Sequence, residues 1–122
     1  MSAASAQTIN PARGEVWLVR FNPQVGAEIE KLRPAVVVSL NAIGRLPLRI
    51  VVPITAWSTA YTQSPWMINL RPSPTNGLSK DSAADAFQVK SVSLRRFERR
   101  IGQITAKQLD EVIQAVALCV GV

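Results

Sequence analysis

Apolar positions along the chain come in short alternating or continuous runs, broken by turn-forming residues, and take on helical spacing only near the end. Glu15 to Phe21 (EVWLVRF) is aromatic and β-branched, with Val16, Leu18 and Arg20 on one side and Trp17, Val19 and Phe21 on the other, which predicts a strand. Asn22-Pro23 opens a loop that runs to Leu32, with Gly26 inside it. Arg33-Pro34 begins the next strand, Ala35 to Leu40, where proline is tolerated and holds Arg33 extended. Asn41 to Pro47 connects to a third strand, Leu48 to Ile54, in which Pro53 marks an edge or a bulge. After a polar loop from Thr55 to Pro65 comes a fourth strand, Trp66 to Leu70, and then a Pro/Ser/Asn/Gly-rich turn from Arg71 to Ser79. Ala84 to Val92 holds a fifth strand and Ile101 to Ile104 a short last one.

The period then changes. Leu109, Val112, Ile113, Val116, Ala117 and Val120 recur at helical spacing and form one apolar face. Thr105-Ala106-Lys107-Gln108 is a capping box, in which the Thr105 hydroxyl accepts from the Gln108 amide and the Gln108 side chain reaches back. The prediction is a mainly β fold with a C-terminal α-helix, in which five or six short antiparallel strands close into a small barrel with the helix packed on it.

Residues 1–12 are small and polar and read as a flexible N-terminal arm, leaving 13–122 as a single domain with one core. The longest apolar run, Ala35 to Leu40, is far below the roughly 20 residues of a spanning helix. The N-terminus lacks the charged and apolar regions of a secretion signal. The lone Cys119 lies in an apolar stretch, as a core residue of a reducing compartment would. These features point to a cytoplasmic protein with no membrane partner.

Charge narrows the function. Fourteen Lys and Arg against eight Asp and Glu give a net +6. Ten of the fourteen cations are Arg, whose planar fork suits phosphate. This balance implies a polyanionic partner, nucleic acid above all, with plain solubility as the alternative. The chain has no His, which removes Ser-His-Asp and Cys-His nucleophiles and His-pair phosphodiester cleavage. With one Cys as well, a zinc site is not expected. Of the eight acids, only Glu28 and Glu30 lie close together outside the helix, too few for a two-metal nuclease. The six glycines are scattered, so no phosphate-cradling loop is seen and no cofactor is expected.

Arg, Lys, Glu and hydroxyls remain. One reaction they can run is attack by an RNA 2′-OH on its own neighbouring phosphodiester, because nucleophile and leaving group both belong to the substrate. A carboxylate base is worth about 10²–10⁴-fold. Arg and hydroxyl donors aimed at the phosphorane are often the larger contribution. DNA lacks the 2′-OH and cannot react this way.

Four motifs follow in order: Arg13-Gly14-Glu15-Val16-Trp17; Asn22-Pro23 with Gly26-Ala27-Glu28; Arg33-Pro34-Ala35-Val36-Val37-Val38-Ser39; and Val52-Pro53-Ile54-Thr55. Together they closely resemble the MazF/PemK family of toxin–antitoxin ribonucleases, from about Arg13 to the C-terminal helix. The resemblance implies a Src-homology-3-like barrel of the PemK/CcdB type, usually a homodimer. It implies metal-independent, sequence-specific cutting of single-stranded RNA to 2′,3′-cyclic phosphate and 5′-OH ends, blocked by an antitoxin with an acidic C-terminal segment. Carried over by position, Arg33 is the principal catalytic Arg and Thr55 the phosphate-contacting hydroxyl, while Glu28 matches a loop position that helps catalysis in some members. On chemistry, Glu28 is a candidate general base and Arg33 a charge clamp, since a guanidinium releases its proton poorly. The resemblance also allows Arg33 to act as an acid or base.

One position departs from the family pattern. Many members place an Asp directly before the Gln of a DQ-hydrophobic-[KR]-[ST] motif, whereas Phe87 precedes Gln88-Val89-Lys90-Ser91 here and Asp85 stands three residues before Gln88. Gln88 and Lys90 remain candidates to line an RNA groove, with Lys31 beside them. Arg95 and Arg96, in the run Arg95-Arg96-Phe97-Glu98-Arg99-Arg100, either track phosphates or form a solvated short helix around Glu98. Trp57, in a polar loop, is a candidate base-stacking platform. Each has a bland reading: Arg33 a surface residue at a strand start, Thr55 a strand end, Glu28 and Glu30 solvated loop charges. For the whole protein the alternatives are a CcdB-like gyrase poison, against which the non-aromatic ending Cys119-Val120-Gly121-Val122 counts, and a non-catalytic RNA-binding barrel.

Overall fold

The alternation in Glu15–Phe21 forms strand β1. It is followed by β2 (Lys31–Val37), β3 (Leu48–Ala56), β4 (Met67–Leu70), β5 (Ser82–Asp85), β6 (Lys90–Ser93), β7 (Phe97–Gln103) and helix α1 (Ala106–Cys119). This is a computed structural model that describes residues 9–21, 31–43 and 45–122. Among the described residues the strands pair antiparallel in the order β4-β5-β3-β2-β1-β7, with β6 also on β3. The fold is mainly β with a C-terminal helix, as the pattern implies. Unlike the closed barrel expected, the sheet stays open, because β4 and β7 end the order without meeting.

β3 is the shared element. Leu48–Val51 pairs with β6, Ile54–Ala56 with β5, and Val51–Pro53 with β2 on the other side. Pro53 is therefore in a central strand and not at an edge or bulge. It falls where one neighbour hands over to the next, the place where a missing N–H disturbs a central ladder least.

Other boundaries differ from the sequence pattern as well: β2 ends at Val37, β3 runs on to Ala56 and β4 starts at Met67. The single strand expected over Ala84–Val92 is two, because the Asp85 carboxylate accepts from the Phe87 N–H at 3.2 Å and caps a 3₁₀ turn, Ala86–Gln88. β2 starts at Lys31, where Lys31, Leu32 and Arg33 pair with Phe21, Arg20 and Val19. The last strand starts at Phe97 and follows β1 through two register shifts, so Phe97–Arg100 is strand and not a solvated helix.

The two faces of the sheet carry two cores. Val16, Val36, Val52, Ile54 and Leu70 pack with Val112 of α1, flanked by Leu109, Ile113 and Val116. The helix begins with both hydrogen bonds of the expected capping box, at 3.0 Å each. Its buried face centres on Val112 and Ala115, while Val120, expected on it, is 63% exposed. The opposite face holds Trp17, Val19, Ala35, Val37, Val51, Val92 and Phe97, with Trp17 and Phe97 edge to face at 5.7 Å.

Residues 9–12, the described end of the expected arm, lie against the domain. Ile9 packs on the second core. Arg49, 8% exposed, donates to the Pro11 carbonyl and Asn10 Oδ1 at 3.0 Å each, and to the Leu46 and Leu48 carbonyls at 2.9 Å each. Among the described residues, this buried cation is thus held by neutral oxygens alone. The turn after β4 is clamped onto β7. Asn76, 1% exposed, accepts from the Ser73 and Leu78 amides and donates to the Arg71 carbonyl. The Gln103 amide donates to the Thr75 carbonyl at 2.9 Å.

Candidate nucleic-acid interface

Paired residues of an antiparallel sheet share a face, and alternate residues of each strand return to it. Val19 pairs with Arg33 and Phe21 with Lys31. Ala35 pairs with Pro53, the last pair of β2 with β3, and Arg33 and Thr55 each stand two residues beyond that pair on the same face. Thr55 pairs in turn with Ala83 of β5, and Val51 with Lys90 of β6. Phe21, Lys31, Arg33, Thr55 and Lys90 therefore rise from the same face as the second core, beyond its apolar end. The Lys90 ammonium stands 5.1 Å from the centre of the Phe21 ring. Two strands separate β6 from β1 in the sheet order, so the sheet curls enough to carry Lys90 over to β1.

Arg33 and Thr55 are half-buried and Lys31 is exposed. Among the described residues, neither Arg33 nor Lys31 makes an ion pair or a side-chain hydrogen bond, and Lys90 has only its contact with Phe21. The acids are occupied elsewhere. Glu15 accepts from Trp17 Nε1 at 2.9 Å and faces Arg100 at 3.1 Å. Glu98 pairs with Arg20, Asp81 accepts from Asn69, Asp85 caps its turn, and Asp110 accepts from Gln114. Glu111 is exposed on α1. Among the described residues this face of cations has no local counter-charge, a setting that attracts a polyanion. Glu28 lies outside the described residues, as do Glu30 and the Asn22-Pro23 and Gly26-Ala27 parts of the motifs.

The other candidates divide. Gln88 is exposed at the end of the 3₁₀ turn, and Val89, between it and Lys90, points into the helix-side core. Phe87, where many relatives of the resembled family carry an acid, is 63% exposed and meets Trp66 edge to face. Asp85 does not replace that acid freely, since its carboxylate is spent on the turn. Arg95 and Arg96 line a cleft with Arg20 and Ser93 that includes neither Arg33 nor Thr55. Trp57 is half-buried at the end of β3, and Tyr61, which the sequence reading passed over inside a polar loop, packs against it.

Burial, and secondarily the Asp85 carboxylate, push the Cys119 thiol above its ordinary pKa, which keeps it protonated and a poor nucleophile. No group of three or more His, Cys, Asp or Glu side chains able to hold a metal ion occurs among the described residues. No helix among them is long and apolar enough to cross a membrane.

Residues 12–120 match the family model described as the PemK-like, MazF-like toxin of type II toxin–antitoxin systems. Endoribonuclease MazF9 of Mycobacterium tuberculosis is 35% identical over 112 residues, which cover 87% of this chain and 92% of that protein. A crystal structure of MazF from Deinococcus radiodurans superposes with a TM-score of 0.73 at 26% identity, covering 92% of this chain and 97% of that one. A MazE–MazF crystal structure from the same organism gives 0.71 at 27% identity, with coverage of 92% and 97%.

Proposed function

The chain belongs to the PemK-like, MazF-like toxins of type II toxin–antitoxin systems and is an endoribonuclease, and on that premise we propose that it cuts single-stranded RNA by 2′-OH attack, without a metal ion. The observation that carries the reading is that Arg33, without an ion pair or side-chain hydrogen bond among the described residues, and Thr55 both lie two residues beyond the Ala35–Pro53 pair on one curled cationic face.

In the proposed reaction Glu28 takes the proton from the ribose 2′-OH, the 2′-oxygen attacks the adjacent phosphorus, and the bond from phosphorus to the 5′-oxygen breaks. A proton from water or a donor on the face goes to the leaving 5′-oxygen. The products are a 2′,3′-cyclic phosphate and a 5′-OH. Arg33 faces the charge that grows on the non-bridging oxygens, with the Thr55 hydroxyl donating beside it, the donors that stabilise a phosphorane. Lys31, Lys90 and Gln88 hold the flanking chain, and Arg95 and Arg96 extend the phosphate track through their own cleft.

The same cations suit the acidic segment of an antitoxin, which by occupying them would exclude RNA. A relative of 27% identity has been crystallised as a MazE–MazF complex. Leu40, Leu46, Leu48 and Ile50 form an exposed aliphatic strip around the start of β3, a surface suited to a second copy and hence to a homodimer. The cytoplasm, where messenger RNA is exposed, is the proposed site of action.

The test is incubation with a long RNA in EDTA, followed by end analysis. The expected result is cutting with cyclic-phosphate ends, loss of cutting in Arg33→Ala, and intact DNA of the same sequence. Cutting of DNA, or RNA cut only when a divalent ion is supplied, would refute the mechanism.

A further inference from the structure

Trp57 and Tyr61 are large aromatic side chains that neither core uses. Their rings meet edge to face at 5.7 Å and 82°, and both are half-buried. Among the described residues, neither the indole N–H nor the phenol hydroxyl makes a hydrogen bond, so each ring keeps an unused polar tip. The backbone beneath them is built. The Trp57 amide donates to the Asp81 carbonyl at 3.0 Å, continuing the β3–β5 ladder past its last pair. Tyr61 stands in the 3₁₀ turn Thr59–Gln63, whose Ser58 cap accepts from the Ala60 amide. The Tyr61 amide donates to the Ser58 carbonyl, and its carbonyl accepts from the Ser64 amide, both at 2.9 Å.

Trp57 stands one residue past the end of β3, but its amide bond to Asp81 keeps the β3–β5 register, so two residues beyond Thr55 it returns to the face of Thr55 about 7 Å further along. An aromatic pair on a fixed backbone, beside the hydroxyl assigned to the scissile phosphate, suits a nucleobase and not a phosphate. Ring faces supply stacking that any base can use, and the two polar tips supply the edge contacts that tell bases apart. We infer that Trp57 and Tyr61 form a base-reading clamp for a nucleotide flanking the cut, with Tyr61 setting which base is preferred. The inference rests on the endoribonuclease reading above and adds to it the place where one letter of the target is read.

The experiment maps every cut in a long RNA of known sequence for the wild type, Trp57→Ala, Tyr61→Ala and Tyr61→Phe. It pairs this with binding of the preferred site made with a 2′-deoxy sugar at the attacking ribose, followed by tryptophan fluorescence. The expected result is relaxed preference at one position next to the cut, the other positions held. Loss of stacking should weaken binding of the deoxy probe about 5- to 150-fold in Trp57→Ala. Tyr61→Phe should keep most of the affinity and lose the base preference. Quenching of fluorescence by the probe should persist in Trp66→Phe and vanish in Trp57→Phe, which also serves if Trp57→Ala does not fold. Unchanged cut sites in all variants, or an equal loss at every site, would overturn the clamp while leaving the nuclease intact. Quenching through Trp57 by a wild-type protein that cuts no RNA would uphold the clamp and remove the nuclease.

Discussion

Gly102 of β7 sits where a side chain has no room. A Cβ built there would lie 2.4 Å from the Thr75 carbonyl oxygen and 2.5 Å from the Asn76 carbonyl carbon, both backbone atoms. Gly102→Ala therefore forces the Arg71–Asp81 turn off β7 by nearly 1 Å to restore contact. A shift of that size takes the Gln103 to Thr75 hydrogen bond from 2.9 Å to a length at which it no longer counts. Overpacking costs about 1–3 kcal/mol, and the lost bond adds about 1 kcal/mol. Gly102→Ala should thus lose about 2–4 kcal/mol. A domain of this size loses about 4 °C of Tm per kcal/mol, so its melting point should fall by about 8–16 °C. Leu78 of the turn packs in the helix-side core and lines a cleft with Leu18 and Pro34, on the opposite side of β1 and β2 from Arg33. RNA cutting at 25 °C should therefore remain close to wild type. The measurement is a thermal melt by circular dichroism beside an RNA cleavage assay. A melting point within 2 °C of wild type would show that the turn is not held as the glycine contact requires, and the argument would fall.

Thr55→Val keeps the shape of the residue and removes its hydroxyl, so single-turnover cutting should slow by about 10²–10³-fold, while Thr55→Ser should retain most of the rate. Thr105→Ala removes the cap of α1 and should lower stability by about 1 kcal/mol in denaturant unfolding without changing cut sites. The raised thiol pKa means that Cys119 remains protonated through pH values at which an ordinary thiol has begun to ionise. Alkylation of the folded protein by iodoacetamide at pH 8 should therefore be slower than that of a free thiol and should accelerate only as pH rises above the ordinary thiol range.

Local signals described the parts of the fold that local forces decide. β1 is dense in aromatic and β-branched residues, and α1 carries both its period and its capping box, so each is legible alone. Where the sequence misled, a distant partner or a side-chain cap decided. Lys31 and Leu32 look like loop until β1 pairs with them. Phe97–Arg100 looks like a solvated helix until β1 supplies a ladder. Asp85 reads as one more strand residue, although its carboxylate turns the chain. The site follows the same division. Motif order named Arg33 and Thr55, and the strand register puts both on one face beyond the Ala35–Pro53 pair. No local pattern could reveal that Arg95 and Arg96 join Arg20 in a separate cleft, or that Tyr61 closes on Trp57, because both depend on how turns fold back.

The guanidinium of Arg49 bears on where the folded domain begins. The family match starts at residue 12, yet two of the four oxygens around Arg49 come from Asn10 and Pro11. Shared sequence and physical self-sufficiency thus draw different boundaries, and a chain trimmed to the shared part leaves an interior charge facing two vacancies. During synthesis the order is reversed: Asn10 and Pro11 leave the ribosome before Arg49 and have nothing to dock on until it has followed them.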